Sequence, residues 1–284
     1  MSIFKIMILA LVQGAAELLP VSSSAHVIVA EKLMGLDPSA PEMTFLLVML
    51  HTGTMFAVLT YFWSRWRRLQ FDFFKMALVA TTVTGVIGFG LKLTLEKVLL
   101  PWAFNTESAE IEHLFKSLPL IALALFFVGL FIVRAGRDES RDQEGSLHLS
   151  VQQSIWIGLV QGLCLPFRGF SRSGATISAG LMCGVQRARA EDFSFALAVI
   201  LTPPVVVHSL HRLMKASGLG FSQISLQMGE LLWPGALGMV FSFMAGWVAL
   251  RWLSSWLEHG RWRYFGYYCL GASGVVFALG LAGF

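Results

Sequence analysis

Charge is what this sequence has least of. Asp, Glu, Lys and Arg make up 13% of 284 residues, about half of the roughly 25% usual in a soluble domain. With 56% hydrophobic residues and a mean hydropathy of +0.68, that scarcity excludes an ordinary soluble fold and fits a polytopic membrane protein. Cysteine is scarce too. Cys164, Cys183 and Cys269 are an odd set without framework spacing, which excludes a disulfide scaffold or thiolate metal cluster and leaves three buried thiols. Acid is rare at the start of the chain, where Glu17 is the only carboxylate in the first 30 residues.

Long apolar runs are present instead. They lie near 44–63, 74–95, 118–133, 193–210, 231–250 and 267–284, each close to the roughly 20 residues that cross the hydrocarbon. No soluble domain fits between them. The net charge of +4 is explained by its distribution, and no nucleic-acid partner is implied. If all six runs cross, Arg65, Arg67, Arg68, Arg134, Arg137, Arg141, Arg187, Arg189, Arg251, Arg261 and Arg263 share one side. The positive-inside rule makes that side cytoplasmic and puts both termini outside. The opposite loops carry Asp37, Glu42, Glu96, Glu107, Glu110 and Glu112, with few bases besides Lys97, Lys116, Arg212 and Lys215. Lys5, an apolar run and Gly14-Ala15-Ala16 imitate a signal peptide; cleavage there would cut a repeated motif, so the segment reads as retained.

That motif is Leu-Val-Gln-Gly, at 11–14 and again at 159–162. An offset of 148 residues superposes the copies and brings two serine-rich loops into near register. Each copy opens a short apolar helix, a polar loop, a second short helix and three spans. The short helices are expected at about 3–19 and 24–35, and at about 151–165 and 174–185. Pro20 with Ser22–Ser24, and Arg168 to Ser173, interrupt the two pairs. Irregular backbone at membrane depth needs protein or a wet cavity around it, so each pair reads as a re-entrant hairpin rather than two ordinary spans. Three spans between the hairpins make them enter from opposite faces, their tips meeting in one site. The expected fold is therefore all-α, an inverted-topology repeat with six transmembrane helices plus two re-entrant helical hairpins. It forms a single membrane domain over 1–284, with repeat 1 at 1–140 and repeat 2 at 150–284.

Ionisable groups in such segments cost about 2.5–3.5 kcal/mol each on insertion scales, which makes them functional candidates. Gln13 and Glu17 are four apart and share a helical face; carboxylate and amide suit a hard cation such as Mg²⁺ or Ca²⁺. The bland alternative is a salt bridge from Glu17 to a buried arginine. A serine in 22–24 caps the next helix, and with Ser23 as the cap His26 falls in its first turn. Serine beside imidazole is the minimum for an activated nucleophile, and His26 as the direct attacker stays open. Gly169-Phe170-Ser171-Arg172-Ser173-Gly174-Ala175-Thr176 reads as an anion cradle at a helix N-terminus, with Arg172 bidentate on phosphate. It is not a P-loop, since the required lysine and spacing are missing. His51, alone in the first span, reads as structural, near a close helix approach at Gly53. Tyr264, Tyr267, Tyr268, Trp252, Trp256 and Trp262 read as an interfacial aromatic belt.

Taken together, Gln13-Gly-Ala-Ala-Glu17, Leu19-Pro-Val-Ser-Ser-Ser-Ala-His26, His51-Thr-Gly-Thr54, Gly169-Phe-Ser-Arg-Ser-Gly-Ala-Thr176, Phe193-Ser-Phe195 and Tyr264-Phe-Gly-Tyr-Tyr268 resemble the undecaprenyl-diphosphate phosphatase (bacitracin-resistance) family over essentially the whole chain. The resemblance implies a bacterial inner-membrane enzyme that removes the terminal phosphate of a C55 polyprenyl diphosphate. A divalent cation assists, and the active site opens to the periplasmic side. It implies Gln13 and Glu17 as the metal pair, with Ser23, His26, Glu17 and Arg172 catalytic. Ser22, Ser24, Gly169, Ser171, Ser173, Gly174 and Thr176 would bind phosphate, and a homodimer is left open. Arg168 stands where the family usually has proline, Ala25 where glycine is common, and Gln13 is a neutral variant of the pair's first position. A polyprenyl-phosphate flippase on the same inverted-repeat hardware is the rival class.

Overall fold

The computed structural model describes residues 2–37, 40–99, 117–137, 145–216 and 221–282. Glu107, Glu110, Glu112, Lys116 and Arg141 lie outside the described residues, as do the side chains of Glu42, Arg212 and Lys215. Among the described residues the regular elements are helices, with one isolated bridge between Ser146 and Val185. In chain order they are α1 (Ile3–Leu18), α2 (Ser23–Leu33), α3 (Pro41–Trp66), α4 (Phe71–Thr94, continued by a π-helical turn Leu95–Leu99) and α5 (Leu118–Ala135). Then follow α6 (Val151–Cys164), α7 (Arg172–Met182), α8 (Arg187–Ala216), α9 (Phe221–Glu258) and α10 (Trp262–Leu281).

Six helices are long and apolar enough to cross a membrane: Met43–Trp66, Phe71–Lys97, Leu118–Ala135, Arg187–Val207, Leu232–Glu258 and Trp262–Leu281. These contain or overlap the six expected runs, and the chain is a multi-pass helical membrane protein. Their outward faces are apolar, as on α5, where Leu123, Phe126, Phe127 and Leu130 stay exposed; lipid is the solvent that suits such faces. Arg65, Arg251 and Arg261 lie over the rings of Phe62, Trp247 and Trp256 at 5.1, 4.8 and 5.8 Å. The other four helices are short. At 1.5 Å per residue, the 16 residues of α1, 11 of α2, 14 of α6 and 11 of α7 all fall short of the roughly 30 Å hydrocarbon thickness.

The chain divides into two compact units, each drawing on both halves of the sequence. Unit 1 comprises 1–19, 26–67 and 198–253. Its core gathers Ile6, Leu9 and Ala10 of α1, Val27 of α2, and Met43, Leu46 and Leu50 of α3. Small residues bring its helices close. A side chain at Gly14 would meet the Ser242 carbonyl of α9 at 2.6 Å, and one at Gly53 would meet that of Met239 at 2.3 Å. Ser242 also donates to the Leu50 carbonyl at 2.9 Å, tying α9 to α3. Burying such hydrogen bonds and dispersion contacts, rather than hydrophobicity, drives helix association inside lipid.

Unit 2 comprises 20–25, 68–197 and 254–284. There α6 lies on α4: a side chain at Gly158 would fall 2.4 Å from the Ala80 carbonyl, and one at Gly162 2.8 Å from Ile87. Thr84 donates to the Gly158 carbonyl at 3.0 Å and accepts from the Gln161 amide at 3.2 Å. α5 and α10 meet through Gly129 and Gly266. The two copies of Leu-Val-Gln-Gly therefore do equivalent packing work. The glycine of each seats its short helix on the second span of the other half of the chain, α1 on α9 and α6 on α4.

Two expectations need correction. Trp262 is not in an interfacial belt; it is 1% exposed, because its indole N–H donates to the Ser178 hydroxyl of α7 at 3.0 Å. Tyr264, Tyr267 and Tyr268 are about half exposed and Trp252 is 46% exposed, as a belt requires. Of the three cysteines, Cys164 and Cys269 are buried and free, but Cys183 is half-buried, since it caps the C-terminal end of α7.

Candidate functional site

The first polar segment of unit 1 is the last turn of α1. Gln13 is fully buried, and its amide nitrogen donates to Glu17 Oε2 at 3.2 Å, as the four-residue spacing implies. α3 supplies a group that the sequence reading had set aside. His51 Nε2 stands 3.8 Å from the same Glu17 oxygen. Its Nδ1 lies 2.7 Å from the Leu47 carbonyl, so Nδ1 carries the hydrogen. The Gly53 approach and the Ser242–Leu50 bond fix this turn of α3. His51 is thus structural through one nitrogen and turned to the candidate site through the other. Glu17's side chain is 13% exposed, poorly hydrated for a carboxylate, and nearby positive charge is what such a group requires.

Carboxylate, amide oxygen and imidazole are an acceptable donor set for a divalent cation. Among the described residues no cluster of three His, Cys, Asp or Glu side chains could hold a metal by itself. A cation here would complete its shell with water or phosphate oxygens, as Mg²⁺ commonly does.

Unit 2 holds the first loop and the second. α2 begins at Ser23, with Ser22 the residue just before it. Ser22 is the one non-glycine residue with positive φ among those described, at 68°, and its hydroxyl lies 3.3 Å from that of Ser24. Ser23 and His26 are half-buried and three apart on α2, so they occupy neighbouring positions on one helical face. The second loop comes to the first: the Gly169 N–H donates to Ser24 Oγ at 3.2 Å, across 145 residues of sequence. Gly169 has φ 95°, and a side chain there would strike the Ile121 carbonyl at 2.5 Å. Glycine is required on both counts.

α7 starts at Arg172, half-buried, with Ser171 as its N-cap accepting from the Gly174 N–H at 3.2 Å. Ser171 and Ser173 hydroxyls are 3.4 Å apart. The two loop glycines therefore spend their N–H groups on serine oxygens, and the remaining anion donors are the hydroxyls, Arg172 and the first turn of α7. Thr176 lies beneath them. It is 1% exposed, donates to the Arg172 carbonyl at 2.8 Å and shares a 2.6 Å bond with Ser194. That explains the Phe193-Ser-Phe195 stretch: both rings are buried and the serine between them braces the loop's helix. Arg168 is exposed.

These features define a multi-pass helical membrane protein whose two interrupted helix pairs carry an acid–amide pair met by an imidazole of α3, a serine-rich turn and an arginine-bearing anion cradle. The bacitracin resistance protein BacA family model matches residues 6–275, and the chain belongs to that family. Undecaprenyl-diphosphatase 2 of Acinetobacter baylyi is 54% identical over 98% of both chains. Undecaprenyl-diphosphatase of Desulfosudis oleivorans is 34% identical over 96% of this chain and 97% of its own. That of Rhodopirellula baltica is 31% identical over 98% of each. None of these names denotes a carrier, which leaves the flippase without support.

Proposed function

We propose that this protein hydrolyses undecaprenyl diphosphate, or a similar polyprenyl diphosphate, to the monophosphate and inorganic phosphate. It would act in the bacterial inner membrane, from the periplasmic side, and so return the lipid carrier to cell-wall synthesis. The observation that carries most weight is the Gly169–Ser24 hydrogen bond. It brings the serine turn before His26 to the arginine cradle, the pair of elements that phosphoryl transfer to a hydroxyl needs. The shared name of relatives matching nearly the whole chain supports the same substrate.

In this scheme Arg172, with Ser171, Ser173, Ser22 and Ser24, grips the terminal phosphoryl group, and Thr176 supports the helix that presents Arg172. Ser23 Oγ attacks that phosphorus in line while His26 takes its proton. The bond to the bridging oxygen breaks and polyprenyl monophosphate leaves. Water then attacks the phosphoserine, the Oγ–P bond breaks as His26 returns its proton to Ser23 Oγ, and phosphate departs. Glu17 and Gln13 would hold a divalent cation, Mg²⁺ or Ca²⁺, which neutralises charge on the diphosphate. Positioning and electrostatics supply most of the acceleration in such reactions. The two short-helix pairs act as re-entrant hairpins, because their lengths stop short of a crossing.

Purified protein in detergent, given farnesyl or undecaprenyl diphosphate, should release phosphate. Glu17→Gln and Arg172→Ala should each lower turnover by about 10²–10³ while expression and folding persist. Absence of release from the wild type, with tight lipid-phosphate binding, would point to a carrier. Near wild-type turnover in either variant removes the role assigned to that residue.

A further inference from the structure

Arginines from two helices converge where α5 ends and α10 begins, both within unit 2. Gly136 lets the two ends touch: a side chain on it would fall 2.9 Å from the Arg263 backbone nitrogen. Arg134 and Arg137 flank that glycine, and Arg261 is the N-cap of α10. All three are exposed. At the start of α8, by contrast, arginines are used inside the protein. Arg187 donates to the Leu257 carbonyl at 3.2 Å, and Arg189 lies 4.0 Å from Asp192 and over the Phe73 ring. Among the described residues no carboxylate or carbonyl meets the guanidinium of Arg134 or Arg137, and Arg261 meets only the Trp256 ring, at 5.8 Å. The first turn of α10 holds no acid, so the positive end of that helix adds to the charge instead of offsetting it.

Both helices run from these arginines into exposed apolar faces. Leu123, Phe127 and Leu130 precede Arg134 at helical spacing on α5, and Tyr264 and Tyr268 follow Arg261 on α10. Positive charge at the end of lipid-facing stripes fits an anionic phospholipid, and basic pockets between spanning helices on the cytoplasmic side take such headgroups. A zwitterionic lipid brings its own ammonium and meets the arginines with a like charge. We infer that the α5–α10 end binds an anionic phospholipid of the leaflet the arginines face. Arg134, Arg137 and Arg261 hold its phosphate, and its acyl chains lie along the exposed faces of α5 and α10.

Delipidated full-length protein in detergent is titrated with phosphatidylglycerol or phosphatidylethanolamine, and bound lipid is counted by native mass spectrometry. The wild type should take up one phosphatidylglycerol at least tenfold more tightly than phosphatidylethanolamine. Joint replacement Arg134→Gln, Arg137→Gln and Arg261→Gln should abolish that preference. Each single variant should weaken phosphatidylglycerol binding about three- to fivefold, which keeps the site testable if the triple variant does not fold. Arg67→Gln, Arg68→Gln and Arg251→Gln together remove the same charge from other helix ends and should leave the preference intact. Equal loss in this control overturns the site in favour of diffuse attraction. Displacement of the lipid by millimolar inorganic phosphate overturns it in favour of a free-anion site. A wild type without preference also overturns it, and the acids at 138–144, which lie outside the described residues, then supply the counter-charge.

Discussion

Ser22 holds its backbone at φ 68°, a region where a Cβ is unfavourable by roughly 1–3 kcal/mol. The strain falls at the turn between α1 and α2, between Val21 and a serine proposed to attack phosphorus. α1 ends at Leu18 and α2 starts at Ser23, so only four residues join the two helices and Ser22 is the one among them with positive φ. Glycine would relieve the strain and remove the hydroxyl together. Ser22→Gly should therefore raise the thermal midpoint in detergent, whereas Ser22→Val, with a branched side chain at positive φ, should lower it. A midpoint in Ser22→Gly below the wild type would mean that the hydroxyl contributes more to the fold than its backbone angle costs. Nothing in the sequence announced this residue as strained: serine is common in turns, and φ depends on how little chain is left between two helices.

The elements themselves were far more legible than their partners. The α1, α2, α6 and α7 boundaries fall within about two residues of those expected for the first three and three for the last, because Pro20, the serine runs and Gly169 break helices for local reasons. Six long apolar runs could only be spans. Packing was not local and could not be read that way. The fact that α1 seats on α9 and α6 on α4 depends on which glycine faces which carbonyl. His51 looked isolated because its acid is 34 residues away on another helix. Trp262 looked interfacial because it sits among tyrosines and arginines, yet its N–H finds Ser178 on α7. That bond yields a test at this scale. Trp262→Phe should cost about 1 kcal/mol, lowering the thermal midpoint by roughly 2–4 °C. Adding Ser178→Ala to it should cost little more, since the hydroxyl has already lost its donor. Fully additive losses would show that ring packing, not the hydrogen bond, keeps Trp262 inside.

For the molecule as a whole, the distribution of arginine sets a direction that helix packing does not. Arg65, Arg67 and Arg68 end α3, Arg134 and Arg137 end α5, Arg187 and Arg189 open α8, and Arg261 and Arg263 flank the start of α10. With one crossing per long helix, every one of these ends must share a face, and a single extra crossing between any two of them would put those two on opposite faces. A short-helix pair that passed through the bilayer as one crossing would be such an extra crossing, so sidedness also tests the second hairpin. In a background freed of Cys164, Cys183 and Cys269, single cysteines at Arg68, Arg137 and Arg261 should react with an impermeant thiol reagent only from the cytoplasm. A cysteine replacing Asp37 should react only from outside. Labelling of Arg68→Cys and Arg137→Cys from one side but Arg261→Cys from the other would mean that an odd number of additional crossings separates the halves. The pair α6–α7, the only short pair between Arg137 and Arg261, would then pass through the bilayer as one crossing, and the inverted relation between the two Leu-Val-Gln-Gly copies would be lost with it.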